Sequence, residues 1–171
     1  MKLAHQIDYL GAEQDAALSL TDKIEKLLDS TCKGDYSEHE RTINELRSLD
    51  HGLAGIVEHC HAQDRLVEST YYQALQKDEL ERIDAEHQRI IQAITSFREE
   101  LKCATADRMN AMILPGMDIV RLIRTHVPYE ASLLTKLALA GTRKTMSIAR
   151  KPAKTLHRHK KTHIAKPERH R

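Results

Sequence analysis

Two histidines and a carboxylate interrupt the apolar stripes of this chain at helical spacing. His87 sits between Ile83 and Ile90, and His126 follows Ile123 with Glu130 one turn further on. Residues i and i+4 share a helix face, so His126 and Glu130 aim a nitrogen and an oxygen at one point. Gln14 breaks the first stripe in the same way, four residues after Leu10. An unpartnered polar side chain in an apolar interior costs about 1–3 kcal/mol. Several of them in one core therefore need each other, water or a metal. A nitrogen- and oxygen-rich set of this kind suits iron, manganese or zinc.

A weak internal repeat organises these positions. Leu10-Gly-Ala-Glu-Gln14-Asp-Ala-Ala-Leu18 parallels Ile83-Asp-Ala-Glu-His87-Gln-Arg-Ile-Ile91. His59-Cys-His-Ala-Gln63-Asp64-Arg-Leu66 parallels His126-Val-Pro-Tyr-Glu130-Ala-Ser-Leu133. The offsets of 73 and 67 residues are those of a duplicated helical hairpin with loop changes. His59, at the edge of its stripe, becomes the counterpart of His126, and Gln63 the counterpart of Glu130.

Four amphipathic helices are needed to carry these residues. The first spans about Leu3 to Asp29, through Leu10, Leu18, Ile24 and Leu28. Ser37-Glu38-His39-Glu40 reads as a capping box, opening a second helix that runs to about Gln76. The third spans about Asp78 to Cys103, through Ile83, Ile90, Ile94, Phe97 and Leu101. The fourth spans about Asp118 to Ala140, with Pro115-Gly116 as its entrance and Gly141 as its exit. Pro128 lies inside the His126 to Glu130 turn and is expected to kink it. Short connections predict an all-α fold, an antiparallel up-down-up-down four-helix bundle.

These motifs resemble the hemerythrin-like, HHE cation-binding family over roughly residues 3 to 140. His87 matches that family's third-helix ligand, His126 and Glu130 its fourth-helix pair, and His59 its second-helix histidine. Gln14 stands where the family has the first-helix histidine, and Gln63 where it has a bridging glutamate, for which Asp64 is the nearest substitute. The resemblance implies non-haem iron, as a mono- or di-iron site on His59, Gln63, Asp64, His87, His126 and Glu130. It also implies binding or sensing of a small gaseous ligand such as dioxygen or nitric oxide, or storage of iron. Two bridging carboxylates are reduced to one here, or two if Asp64 steps in. The alternative is a metal-free degenerate bundle acting as a regulatory or interaction module.

Composition bounds the remainder. The 171 residues allow one core, placed at 1–141. The net charge of +2 conceals a split: residues 143–171 hold 11 Lys and Arg against one acid, Glu168, and the rest carries −8. The segment 142–171 reads as a disordered basic tail, able to bind nucleic acid or another polyanion through its charge. No aromatic lies among those charges to stack on bases. Cys32, Cys60 and Cys103 form no CxxC pair and read as reduced thiols in a cytoplasmic protein. No apolar run is long enough for a membrane span. No nucleophile–base pattern or phosphate loop is present, so no enzymatic turnover is expected.

Overall fold

The computed structural model describes residues 3–31, 36–67 and 75–149. Every regular element among them is helical. Helix α1 is Leu3–Thr31, α2 Tyr36–Ser48, α3 Asp50–Val67, α4 Lys77–Lys102 and α5 Met109–Ala149, with one 3-10 turn at Ala106–Arg108 before α5. Helix α1 packs against α5, α5 against α4, α4 against α3 and α3 against α1. These four surround one interior, and α2 lies against α1, α3 and α4. No helix among the described residues is long and apolar enough to cross a membrane.

Leu20, Ile24 and Leu28 of α1 meet Ile90, Ile94 and Phe97 of α4 and Ile119 and Ile123 of α5 in the main apolar cluster. Leu10, Leu75, Ile83, Leu133 and Leu134 form a second, smaller one. The polar interruptions fall between the two. Gln14 separates Leu10 from Leu20, His87 separates Ile83 from Ile90, and His126 and Glu130 separate Ile123 from Leu133.

Four boundaries differ from the sequence expectation. The expected second helix breaks at Leu49 into α2 and α3. Ser48 Oγ donates back to the Glu45 carbonyl at 2.6 Å, a bond that competes with the helical ladder. Asp50 is held just beyond by Arg98, at 2.6 and 2.9 Å. Ser37, read as a cap, lies inside the first turn of α2.

The fourth helix begins at Met109, so Pro115-Gly116 lies inside it. Gly116 serves packing. A Cβ there would stand 2.5 Å from Leu28 Cδ1 and 3.3 Å from Phe97 Cε2, so its absence lets α5 press against α1. Gly116→Ala gains about 1 kcal/mol in helix propensity but overpacks a fully buried spot, at a cost of about 1–3 kcal/mol. A lower midpoint in urea is expected, and an unchanged or higher one would refute this account of Gly116.

Gly141 is no exit either, because α5 continues to Ala149. A single glycine costs a helix only about 1 kcal/mol, and Ala138 to Ala140 and Arg143-Lys144 around it are helix formers. The first eight residues of the expected tail, 142–149, are thus helical, and 150–171 lie outside the described residues. Arg47 supplies a cap that the sequence reading missed. Its guanidinium donates to the carbonyls of Leu101, Lys102 and Ala104 at 3.2, 3.4 and 3.0 Å, at the end of α4 where carbonyls lose their helical partners; Leu101 also accepts from Ala104 N–H at 3.3 Å.

Candidate metal centre

The layer between the two apolar clusters is almost sealed from solvent. His87 is 0% exposed, Gln63 1%, Glu130 3%, His126 4% and Gln14 7%. The His59 side chain, at 12%, is the most open imidazole and turns inward from the edge of its stripe.

Each imidazole is held from outside by a carboxylate on the neighbouring helix. His87 Nδ1 lies 2.6 Å from Asp64 Oδ1. His126 Nδ1 lies 2.9 Å from Glu86 Oε2, and His59 Nδ1 is hydrogen-bonded to Glu13. Arg82 backs one of these pairs, donating to Glu86 at 2.8 Å while its guanidinium sits 3.9 Å over the Tyr129 ring. A carboxylate on Nδ1 fixes the proton there and leaves Nε2 with a free lone pair.

The three Nε2 atoms converge. His87 Nε2 and His126 Nε2 are 3.1 Å apart. The Glu130 carboxylate lies 3.6 Å from His126 Nε2 through one oxygen and 3.6 Å from His59 Nε2 through the other. Those two gaps are too long for hydrogen bonds. Both Glu130 oxygens, both amide atoms of Gln63 and Nε2 of Gln14 are buried without a hydrogen-bond partner. Two lone pairs facing each other at 3.1 Å repel unless a proton or a cation lies beside them. Among the described residues, no group of three or more His, Cys, Asp or Glu side chains is placed, as it stands, to hold a metal ion. The arrangement is a converging donor set with open gaps.

Electrostatics separate the histidines. Burial pushes His87 below its usual pKa and outweighs the opposing effect of Asp64. For His59, burial also works against the proton, but Glu130 and Glu13 prevail and hold its pKa above the usual value. Burial likewise opposes the charge on Glu86, yet Arg82 and His126 keep its pKa low. Cys60 is pushed up to about 12 by burial, with Asp64 and Glu130 adding to it. It remains a thiol packed in the main core.

Of the residues expected from sequence, the structure brings His59, Gln63, His87, His126 and Glu130 into one layer. Asp64 faces Nδ1 of His87 and so supports that ring from behind. Pro128 sits within α5, and the His126 and Glu130 side chains still meet across it. His61 is exposed. Glu13 and Glu86 were missed, although the repeat carried their signal: each directly precedes an inward position, in Glu13-Gln14 and Glu86-His87.

The repeat also explains the asymmetry. Glu13–His59 joins α1 to α3, and Glu86–His126, at the equivalent positions, joins α4 to α5. Asp64–His87 joins α3 to α4. Its equivalent between α5 and α1 would be Ala131 and Gln14. Neither position of that fourth pair carries an imidazole or a carboxylate. Comparison with family models, curated proteins and solved structures finds no match for this chain.

Proposed function

We propose that this chain is a hemerythrin-like metal-binding protein holding a single non-haem iron ion through Nε2 of His59, His87 and His126 and the carboxylate of Glu130. The carrying observation is the set of three Nδ1–carboxylate pairs, which turn Nε2 of His59 and His126 toward one buried carboxylate with no hydrogen bond of its own, and Nε2 of His87 toward that of His126. Such outer partners orient metal-ligating histidines and raise their basicity. The packing of α1, α3, α4 and α5 around this layer supports an antiparallel up-down-up-down bundle as its frame. An iron ion so bound supplies a centre able to bind or sense a small ligand such as dioxygen or nitric oxide.

Gln63 and Gln14 argue for one ion rather than two. The second carboxylate and the fourth imidazole are replaced by neutral amides, and Ala131 leaves Gln14 without the carboxylate its counterpart has. Asp64 does not compensate, because it is engaged by His87.

The alternative is a metal-free polar network in an interaction module whose basic tail binds a polyanion. The 3.1 Å contact between His87 and His126 favours it if one ring carries a proton to share. Loading the purified full chain with ferrous iron separates the readings. Glu130 and Glu13 raise the His59 pKa, so a proton competes with the ion for that ring up to a higher pH than on a free imidazole. The His87 pKa is lowered, so its lone pair is free until the pH drops below the ordinary imidazole value of about 6.5. Affinity therefore rises with pH until the folded pKa of His59 is passed. The expected result is about one ion per chain, with protons released and affinity falling about tenfold per pH unit for each proton displaced. No bound iron would favour the metal-free network, and an affinity indifferent to pH between about 5 and 7 would place the ion on groups other than these histidines.

A further inference from the structure

The Glu86 carboxylate is occupied at both oxygens. Oε2 lies 2.9 Å from Nδ1 of His126, across the gap between α4 and α5. Oε1 accepts from Nε of Arg82 at 2.8 Å, one turn back on α4. The Arg82 guanidinium in turn lies over the Tyr129 ring, 3.9 Å from its centre. Tyr129 packs against the smaller apolar cluster that holds Leu10, Ile83 and Leu133. A continuous line of contacts therefore runs from that cluster through Tyr129, Arg82 and Glu86 to His126.

We propose that Arg82 is a positioning residue: seated on Tyr129, it locks the Glu86 carboxylate onto Nδ1 of His126 and so directs the Nε2 lone pair of that ring into the polar layer. The use of that lone pair to hold an ion rests on the metal reading above. The lock itself rests on the contacts just described.

Glu86 needs such a lock. Its side chain is 20% exposed, and fixing a glutamate costs much rotamer freedom. With His126 as its one partner it could turn to water and release Nδ1. The His126 proton then has somewhere to go, because Nε2 of His87 stands 3.1 Å from Nε2 of His126 and can accept it there. Arg82 blocks that route by holding the other oxygen. A guanidinium suits this task better than an ammonium. Its planar fork keeps an edge on the carboxylate while its face stacks on an aromatic ring. Stability alone does not account for the arrangement. The Arg82 side chain is 55% exposed, and ion pairs so open to water contribute little.

The internal repeat is an independent argument. The offset that aligns Leu10 with Ile83 and Glu13 with Glu86 aligns Tyr9 with Arg82. The Tyr9 hydroxyl is hydrogen-bonded to Glu13, which holds His59. Both halves of the molecule thus place a donor one turn before the glutamate that supports a histidine. The donor is a neutral phenol in one half and a guanidinium in the other.

Arg82→Met keeps a stem on Tyr129 and removes every donor. Arg82→Lys keeps the charge but has neither the fork nor the stacking face. Melting curves of the metal-free full chain are expected to stay close to the parent's in both. The first readout is the His126 ring in that metal-free chain at about pH 9, above the ordinary imidazole range, by long-range proton–nitrogen NMR. The parent is expected to show mainly the Nδ1–H form. Arg82→Met should move the ring toward the Nε2–H form, and Arg82→Lys should move it less in the same direction. The second readout is ferrous iron affinity by competition with a chelator, with Kd expected to rise about tenfold in Arg82→Met at unchanged ion content. A His126 tautomer unchanged in Arg82→Met would overturn the proposal. Arg82→Lys indistinguishable from the parent would overturn the seating on Tyr129. A parent that binds no iron would instead overturn the metal reading, and the tautomer result would still decide what Arg82 does.

Discussion

Glu130→Gln is expected to abolish iron binding while raising the melting temperature of the metal-free protein. Glu130 is 3% exposed, and neither of its oxygens has a hydrogen-bond partner. A buried polar group left unsatisfied costs about 1–3 kcal/mol, and a charged one more. Glutamine keeps the shape, removes the charge, and offers an amide hydrogen to a histidine lone pair 3.6 Å away. A gain of about 1–2 kcal/mol follows for the metal-free state, or about 2–4 °C per kcal/mol in a chain of this size. The cost falls on the ion, because Glu130 is the one carboxylate among the four proposed ligands and an amide does not offset metal charge. Iron at a hundredfold excess over Kd stabilises the parent by about 2.7 kcal/mol, so the order of the two proteins should reverse when iron is added. The metal-free comparison belongs at about pH 9, above the ordinary imidazole range, so that attraction between a protonated His59 and Glu130 does not mask the effect. A variant that melts lower than its parent there would mean that Glu130 already has a structural partner and that the network is complete without metal.

The inward-facing residues were legible in the sequence because a polar residue on an apolar stripe has few places to go. The stripe fixes which side of a helix is buried, and Gln14, His87, His126 and Glu130 all lie on it. The spans of α1 and α4 followed from the same periodicity. Residues that act across helices were not legible. Glu13, Glu86 and Asp64 sit beside the stripe, where a carboxylate normally meets water, and their roles depend on how far each helix is rotated against its neighbour. That rotation comes from packing, not from spacing. His59 was ambiguous for the same reason, and Glu13 settles its orientation. The misplaced boundaries share another cause. Pro115-Gly116 and Gly141 carry the chemistry of helix ends, but Gly116 is used for a close helix–helix approach. The break at Leu49 arises from Ser48 and the Arg98–Asp50 pair, of which the second is a contact between distant segments.

Asp64→Asn should weaken iron binding without removing a ligand. In the present geometry Asp64 holds Nδ1 of a fully buried imidazole at 2.6 Å. The carboxylate accepts only, so it keeps the proton on Nδ1 and the lone pair on Nε2. Asparagine can present its amide hydrogens instead, and it then stabilises the tautomer whose Nε2 carries the proton and points at His126. Loss of such an outer partner typically costs 10- to 100-fold in metal affinity, about 1.4–2.7 kcal/mol. Glu86→Gln acts on His126 in the same way, but there Arg82 also loses its partner, so Asp64 is the cleaner probe. The metal-free protein should tolerate Asp64→Asn well, because Asp64 keeps about a quarter of its side-chain surface exposed and asparagine preserves the size. The measurement is a competitive titration of ferrous iron against a chelator, with parent and variant compared at one pH. A Kd raised about 10- to 100-fold at unchanged stoichiometry would mean that His87 is a ligand whose direction is set from outside. An affinity equal to that of the parent would place His87 outside the coordination sphere, and the donor set would shrink to His59, His126 and Glu130. The position equivalent to Asp64 is Ala131 and its partner is Gln14, so an affinity lost with Asp64 would show that an imidazole at the fourth corner, without a carboxylate behind it, would hold an ion only weakly.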